Sequence, residues 1–464
     1  MIVMKFGGSS LSDPESLKHI ASIILKSSFS RRIVVLSAVQ GITDRLISAT
    51  DTALHDESSI ETSIEAIYEI HRPMLELGLT DPDIRKECTR AIQGHINKLK
   101  KLLKGVAYTG EATPRTRDQI VSYGERLSVH LMTGCLKCMG SEACPFESDK
   151  LDMLAHGHFG KGTVDRKVIR KKLPPELQKV LKRGGIPVIT GFFGKTSRGE
   201  TITFGRGGTD YSAAVVADAM GAERLEIWKD VDGFLSGSPE IVKNGQFLSS
   251  LSYDEAAELA YFGAKILHPR TVEPLLEQKI PIVIRNTFKP DKVGTWIGED
   301  KHTSDQIVKS VTFDRNIAMI RLHGVDVGYA AGYLSSLVNS LSKLDINIRS
   351  VMTSQTCINI LMDRGDLQQA SDQLQKLDMP GIDLIEPIEN IGLVAIVGEG
   401  LSKSEDLVAR AIHALTRVNI HAEIIISGAS KVAAYLIVRE GQLKRTVRVV
   451  HRTFFNEGLD NGSS

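Results

Sequence analysis

The first 295 or so residues alternate short apolar runs with stretches of helical periodicity, and this alternation limits the possible folds most strongly. Several runs are apolar without interruption, which is typical of strands covered on both faces of a mostly parallel sheet. The strand candidates are Ile2–Phe6, Ile33–Leu36, Ile186–Gly191, Leu225–Trp228 and Ile280–Ile284. Residues 58–104 have a mainly helical pattern and would leave the sheet. The pattern predicts an α/β sandwich of three layers.

A polar stretch over residues 288–309 ends the α/β pattern, and an internal repeat follows it. Asn316-Ile317 opens one copy and Asn390-Ile391 opens the second, and each reads strand, turn, amphipathic helix, strand, strand. Two such units can complete a core by pairing sheet edges or by packing side by side. The predicted organisation is an α/β domain over 1–295, a linker over 296–312, repeats over 313–386 and 387–455, and a disordered tail over 456–464. The C-terminal part of the second repeat could complete the first.

Charge and cysteine content narrow the class of protein. The 57 Lys and Arg residues nearly balance the 56 Asp and Glu residues, which argues against a nucleic-acid-binding surface. No apolar run reaches the ~18 residues of a membrane span, and the N-terminus lacks a signal-peptide pattern. Five cysteines, an odd number, fit a reducing compartment, so we expect a cytoplasmic protein.

Three cysteines, Cys135, Cys138 and Cys144, lie close together in sequence, with His156 and His158 downstream. A zinc site could be drawn from them. Cys135 and Cys138 end an apolar helical pattern, however, and free cysteines are commonly core residues. Buried structural thiols are therefore the favoured interpretation.

Two glycine-rich turns are candidates for anion binding. The first, KFGGSS at 5–10, follows an apolar run and precedes a helical pattern for which Asp13 and Pro14 are a suitable start. Adjacent glycines let backbone amides approach an anion, the N-terminus of the following helix would add its dipole, and Lys5 would add a charge. Taken alone, two glycines after a strand more often mark only a tight turn.

The second turn, GRGGTD at 205–210, also lies between a strand candidate and a helix. Arg206 suits bidentate capture of a carboxylate or phosphate. Asp210 could order nearby lysines or hold magnesium. An ordinary helix N-cap by Thr209 or Asp210 is the alternative, and both interpretations can hold together.

Both turns belong to a series of ordered segments that covers the first domain. The segments are KFGGSS at 5–10, VLSAVQGITDRL at 35–46, ATPRTRDQIVSYGERLS at 112–128, VITGFFG at 188–194, TITFGRGGTDYSAA at 201–214, IWKDVDG at 227–233 and FGAKILHP at 262–269. In order and spacing they resemble the aspartokinases of the amino-acid kinase superfamily, and the repeats resemble the tandem ACT domains of that family. The resemblance implies a three-layer αβα kinase fold with a mostly parallel sheet, followed by two ferredoxin-like ACT domains of βαββαβ type.

The resemblance also implies ATP-dependent phosphorylation of the L-aspartate β-carboxylate to 4-phospho-L-aspartate, the first step toward lysine, threonine and methionine. Mg²⁺ would arrive with ATP, and no metal ligand from the protein is predicted. Feedback regulation through the ACT domains, and a homodimer or larger assembly formed through them, would follow. Neither a nucleic acid nor a membrane is an expected partner.

By the same resemblance, the aspartate-binding residues are Thr43, Glu125, Arg206, Gly207, Gly208 and Thr209. Glu125 would pair with the substrate ammonium group, and Arg206 would bind its α-carboxylate. Lys5 and Asp210 would be catalytic, Lys5 at the transferring phosphate and Asp210 as the organiser of the cationic cluster or the metal.

The residues implied for ATP are Lys5, Gly7, Gly8, Ser9, Ser37, Lys229, Asp230, Leu235, Glu240 and Lys265. Three of them depart from the family pattern, which usually has Thr, Tyr and Arg where this chain has Lys229, Leu235 and Glu240. Lys229 could compensate electrostatically, and we expect weak ATP binding or relaxed base choice.

An effector site is implied in the first repeat, at Val327, Ala330, Gly332, Tyr333, Leu334, Ile348, Arg349, Ser354 and Gln355. Lysine-inhibited relatives often carry Asp and Glu at the positions of Arg349 and Gln355. Arg349 would repel the lysine ammonium group by ~1 kcal/mol if it were partly exposed. Lysine is favoured on whole-chain resemblance, with threonine as a competitor.

Two other functions stay open at the level of sequence. One is an amino-acid kinase that acts on glutamate or acetylglutamate, which the combination of GERLS, FGRGGTDYS, FGAKILHP and tandem ACT repeats disfavours. The other is a degenerate kinase retained as an amino-acid sensor, which only the altered nucleotide loop supports.

Overall fold

The computed structural model describes residues 1–263, 266–299, 307–325, 327, 332–377, 379, 381–402 and 406–455. These residues form two compact units. The first contains the described residues of 1–234, 249–257 and 266–302, and the second contains those of 235–248, 258–265 and 303–464. Two short segments inside the predicted first domain thus belong to the second unit, and the domain limits given above stay a prediction.

A mostly parallel sheet of eight strands organises the first unit, with two short hairpins beside it. The strands are β1 (Ile2–Phe6), β2 (Arg32–Leu36), β3 (Ala143–Phe146), β4 (Ala155–His156), β5 (Thr163–Val164), β6 (Ile186–Thr190), β7 (Phe193–Lys195), β8 (Thr201–Thr203), β9 (Arg224–Lys229), β10 (Ser250–Leu251), β11 (Ile282–Asn286) and β12 (Thr295–Ile297). The order in the sheet is β10-β12-β11-β9-β1-β2-β6-β3, and β12 runs antiparallel to β11 while the other pairs are parallel. The five strand predictions are confirmed.

Helices cover both faces of this sheet. They are α1 (Pro14–Lys26), α2 (Ile42–Ala53), α3 (Ser59–Glu76), α4 (Pro82–Thr109), α5 (Pro114–Val121), α6 (Tyr123–Cys138), α7 (Arg166–Leu181), α8 (Gly208–Met220), α9 (Tyr253–Tyr261) and α10 (Glu273–Leu276). One buried apolar cluster joins Ile2, Met4 and Phe6 of β1 to helices α1–α6. Because side chains alternate along a strand, Val3 and Lys5 face the other side, where α8 contacts β1. The predicted three-layer architecture is confirmed.

The helix that follows the first glycine turn begins at the predicted residues, Asp13 and Pro14. Gly8–Ser10 form one 3-10 turn, and α1 begins later, at Pro14. The Asp13 carboxylate accepts the backbone N–H of Ser16, so the predicted cap is present. The N-terminus of α1 is therefore separated from this turn by three residues, 11–13.

Of the three clustered cysteines, one is a buried core residue. Cys135 is buried in α6, as expected, whereas Cys138 and Cys144 are half-buried. Within the described part of the chain, no three His, Cys, Asp or Glu side chains group as a metal site. No described helix is long and apolar enough to cross a membrane.

The second unit contains two antiparallel sheets of four strands. Its strands are β13 (Ser310–Asp314), β14 (Ile317–His323), β15 (Ile348–Thr353), β16 (Cys357–Asp363), β17 (Leu384–Ile388), β18 (Ile391–Val397), β19 (Ile424–Ile426) and β20 (Ala433–Arg439). Its helices are α11 (Tyr333–Lys343), α12 (Leu367–Leu374), α13 (Asp406–Thr416) and α14 (Leu443–Phe455). Each sheet packs two helices over one apolar core, which confirms the predicted pair of small domains.

The sequence left open that the C-terminal part of the second repeat completes the first, and the strand pairing is different. The first sheet, β15-β16-β14-β17, is complete within its own repeat because β17 pairs with β14. The second sheet, β13-β18-β20-β19, takes β13 from the chain before the first repeat. The first repeat is therefore inserted between two parts of the second, and the second repeat does not complete the first.

Candidate functional site

A cavity of about 430 Å³ lies in the first unit, where the parallel strands β1, β2 and β9 end. Carboxyl ends of parallel strands are the usual ligand-binding edge of such sheets. The residues around it are Lys5, Gly8, Ser9, Ser37, Ala38, Val39, Gln40, Gly41, Thr43, Asp44, Glu125, Phe192, Gly205, Arg206, Gly207, Gly208, Thr209, Asp210 and Lys229. The structure thus brings together most of the predicted catalytic and substrate residues.

A buried ion cluster of Lys5, Asp210 and Lys229 borders the cavity. Lys5 Nζ lies 2.6 Å from one Asp210 carboxylate oxygen, and Lys229 Nζ donates to the other at 3.3 Å. The register between β1 and β9 sets the two lysines on neighbouring strands, and Asp210 lies in the first turn of α8. Two cations on one anion leave a net positive charge, which suits an anionic ligand.

Burial and charge act on this cluster in opposite directions. Burial lowers the pKa of Lys5, and the adjacent Asp210 only partly offsets it. Burial would raise the pKa of Asp210, but Lys5 and Lys229 outweigh it, so this pKa lies below its ordinary value. Asp210 therefore remains an anion that holds both ammonium groups in place.

Glu125 supplies a buried carboxyl group to the same cavity. It lies in the first turn of α6, and Ala38 N–H donates to its Oε1 at 3.0 Å. Its Oε2 is buried and has no hydrogen-bond partner among the described residues. Burial raises the pKa of Glu125 to about 8. An unpartnered buried carboxyl oxygen suits a cationic ligand group.

The second glycine turn carries Arg206 at the edge of the cavity. Gly208 N–H donates to Gly205 O at 2.9 Å, and Gly207 has a φ of 70°, which favours glycine. A Cβ at Gly207 would lie 2.4 Å from His268. The Arg206 side chain is exposed and makes no hydrogen bond or ion pair with any residue that the structure describes. Arg206 therefore lies on a turn that a hydrogen bond closes, with its guanidinium group available to a ligand.

The backbone approaches the cavity closely at two further places. A Cβ at Gly8 would lie 2.9 Å from Ala38 O, so glycine is required there. A Cβ at Gly7 would lie 3.4 Å from the Lys5 ammonium nitrogen, so the backbone of Gly7 passes close to that charge. Ser37 donates to Thr209 Oγ1 at 3.0 Å, which joins the loop after β2 to the start of α8. The prediction placed the N-terminus of α1 at the anion site, whereas in the structure it is the N-terminus of α8 that borders the cavity.

The remaining nucleotide predictions are not gathered at this cavity. Asp230 follows Lys229 and is exposed outside its lining. Leu235 and Glu240 belong to the second unit, where Glu240 accepts a hydrogen bond from Arg315 at 2.7 Å. Lys265 lies outside the described residues.

The predicted effector residues lie in the second unit around α11 and β15, except Ala330, which lies outside the described residues. Arg349 is mostly buried, and its charge is already paired. It lies 2.5 Å from Asp314 and 3.3 Å from Asp363, and it donates to Tyr261 O at 3.1 Å. The argument that a free Arg349 repels lysine is therefore not supported.

Sequence reasoning missed several cavity residues. Gln40, Asp44 and Phe192 line the cavity, and His268 packs against Gly207. All four lie inside the segments that carry the family resemblance, but no periodicity distinguishes them from their neighbours. Phe192 has a φ of 74°, a conformation that the sequence does not reveal for a residue other than glycine.

Comparisons with known proteins agree with this fold. A model of the amino acid kinase family matches residues 1–286, and an ACT domain model matches residues 394–454. Chloroplastic aspartokinase 1 of Arabidopsis thaliana is 31% identical over 98% of this chain and 80% of its own length. The chain therefore belongs to the amino acid kinase family and, within it, to the aspartokinases, the aspartate kinases that phosphorylate a carboxyl group.

Two solved structures of Escherichia coli aspartokinase III resemble the whole chain. The complex with aspartate and ADP, termed the R-state, has a TM-score of 0.83 and 27% identity, and the match covers 98% of this chain and 100% of that one. The complex with lysine and aspartate, termed the T-state, has a TM-score of 0.80 and 26% identity over 98% and 99%.

Proposed function

We propose that this enzyme transfers the γ-phosphate of ATP to the β-carboxylate of L-aspartate and forms 4-phospho-L-aspartate. The observation that carries the proposal is the charge arrangement of the cavity. A net positive cluster of Lys5, Asp210 and Lys229 shares the cavity with the unpartnered Glu125 carboxyl and with Arg206.

Aspartate matches these charges group by group. Its ammonium group would pair with Glu125, and its α-carboxylate would pair with Arg206, with Thr43 and the Gly207–Thr209 backbone closing around it. Its β-carboxylate would then face Lys5 and the transferring phosphate. A carboxylate with a pKa near ~3.9 is already ionised at neutral pH, so the reaction needs no general base. It needs charge neutralisation and in-line positioning instead.

ATP would place its phosphates against Lys5, Gly7, Gly8 and Ser9, with Ser37 and Lys229 beside them. Asp230, Leu235, Glu240 and Lys265 are the proposed contacts to the rest of the nucleotide. The complex of the Escherichia coli relative with ADP and aspartate supports the use of ATP.

Mg²⁺ would enter with the nucleotide rather than on a protein site. Both Asp210 oxygens face lysine ammonium groups, so this carboxylate is already neutralised and is a poor direct ligand. When bound to ATP, the cation would neutralise phosphate charge, and the protein residues would orient the two substrates.

The ACT domains would bind an amino-acid end product, with lysine favoured and threonine as the competitor. The lysine complex of the Escherichia coli relative supports lysine. We further propose a cytoplasmic homodimer, or a larger assembly formed through the ACT domains, that serves lysine, threonine and methionine synthesis.

Acyl-phosphate trapping with hydroxylamine tests the proposed reaction. The purified chain is incubated with ATP, Mg²⁺ and, in separate samples, aspartate, glutamate or N-acetylglutamate. We expect hydroxamate from aspartate alone. Product from glutamate or acetylglutamate would indicate a different amino-acid kinase, and amino-acid binding without any product would indicate a sensor.

A further inference from the structure

Two charged side chains, Asp118 and Arg270, hold the residues just before the turn that carries Arg206; these preceding residues are called the stem of the turn. Neither side chain is among the described residues that line the cavity. Asp118 lies on α5 and is 5% exposed. Arg270 lies in the short 3-10 helix Pro269–Thr271 and is half-buried. Both belong to the first unit, and neither has a role in the reaction proposed above.

Asp118 joins two backbone segments. Its Oδ2 accepts the N–H of Thr203 at 2.7 Å and the N–H of Gly160 at 2.8 Å, and its Oδ1 accepts the Thr203 hydroxyl at 2.8 Å. Hydrogen bonds to a buried carboxylate are among the strong ones. Asp118 therefore ties β8 to the loop before β5.

Arg270 holds the same two segments through their carbonyl groups. Its Nη1 donates to Phe204 O at 3.0 Å, and its Nη2 donates to Gly162 O at 2.7 Å. The guanidinium group lies over the Tyr211 ring, 4.5 Å from its centroid, which fixes the plane of the donors. Asp118 and Arg270 thus hold the N–H of residue 203 and the carbonyl of residue 204.

The Arg206 turn begins at the next residue and rests on the loop that these side chains hold. Gly205 has a φ of 74°, and a Cβ there would lie 2.6 Å from Gly160 O. Glycines give the turn more backbone freedom than any other residue would, so its position depends on the stem. We propose that Asp118 and Arg270 are positioning residues that fix this turn and thereby set the affinity for the carboxylate bound by Arg206.

This inference rests on the proposed pairing of Arg206 with the aspartate α-carboxylate. The test compares Asp118→Ala, Asp118→Asn and Arg270→Ala by kcat, by KM for aspartate and for ATP, and by Tm. Arg117→Ala is the matched control, because Arg117 neighbours Asp118 on α5 and pairs with the exposed Asp51.

Both alanine variants should raise the aspartate KM about tenfold or more, since small displacements of a binding group are costly. The ATP KM should stay within about twofold, as for an independent site. Asp118→Asn should restore most of the aspartate affinity, because its amide oxygen can still accept both backbone N–H groups. The control variant should match the wild-type protein.

A double-mutant cycle with Arg206→Ala identifies the route of the effect. If Arg270 acts through Arg206, Arg270→Ala should raise the aspartate KM little further in the Arg206→Ala background. Three results would overturn the inference. If Arg206→Ala raises the aspartate KM but Asp118→Ala and Arg270→Ala do not, the proposed function stands and the positioning role of Asp118 and Arg270 is refuted. If Arg206→Ala has no effect, the carboxylate assignment and the inference both fail. Equal rises in both KM values without rescue by Asp118→Asn would indicate a general structural role.

Discussion

Glu125→Gln should change how aspartate binding depends on pH. Burial raises the pKa of Glu125 to about 8, so only about a tenth of the free enzyme carries the carboxylate at pH 7. If the substrate ammonium needs that carboxylate, the apparent affinity is reduced by the same fraction. The aspartate KM of the wild-type protein should therefore fall as the pH rises toward about 8 and then level off.

The glutamine variant keeps the shape of the side chain but cannot ionise. Its aspartate KM should exceed the wild-type value by about tenfold or more near pH 8.5, because a charge-assisted hydrogen bond contributes about 1.5–3 kcal/mol. The ratio should shrink near pH 6, where the wild-type carboxyl is mostly protonated. The assay is ADP release at saturating ATP across this pH range, with Glu87→Gln, an exposed carboxylate that pairs with Lys137, as the control.

Unfolding gives a second reading of the same group. The folded-state pKa of Glu125 is raised, so the stability of the wild-type protein relative to the variant is greatest below the ordinary pKa of 4.5. This relative stability then decreases as the pH rises from 4.5 to about 8. One pKa unit corresponds to about 1.4 kcal/mol, so the relative gain of Glu125→Gln should reach at most about 5 kcal/mol. A KM ratio that does not change with pH would refute the reasoning.

Three further predictions concern phosphate, nucleotide and effector. Lys5→Ala should fold and lower kcat by about two orders of magnitude or more, because it removes a buried cation from the phosphate site; full activity would reject its role. Glu240→Arg should lower the ATP KM with little change in Tm, since the exposed pair with Arg315 contributes at most about 1 kcal/mol, and a higher ATP KM would mean that Lys229 has rebuilt the site. Arg349→Ala should lower Tm, because it removes the ion pair of Asp314, and should not tighten lysine binding in calorimetry; tighter binding would restore the repulsion argument.

The sequence predicted the elements whose patterns are local. β1 is buried throughout and β9 is buried over its four central residues, because helices cover both faces of the sheet. β3 was missed because its four residues include Pro145 and Cys144 and carry no periodicity. β13 was assigned to a linker and a repeat boundary, because its partner β18 lies far along the chain. Long-range strand pairing leaves no mark in a local window.

The site shows the same division. Lys5 and Arg206 were found because each lies in a glycine-rich turn, and Glu125 was found through the family resemblance. The contact of Lys229 with Asp210 depends on how α8 packs against β9, which no local pattern states. Asp118 lies in a segment that carries the resemblance, but only the tertiary structure shows which backbone groups it holds.

The position of the transferred phosphate tests the central claim most directly. The wild-type protein is incubated with ATP, Mg²⁺ and aspartate labelled with carbon-13 at both carboxyl carbons, and the product is trapped with hydroxylamine and examined by carbon-13 NMR. If Glu125 and Arg206 hold the two ends of the α-amino acid, the hydroxamate signal should arise at the β-carboxyl carbon alone. A hydroxamate at the α-carboxyl carbon, or none in a protein that still binds both substrates, would contradict the account.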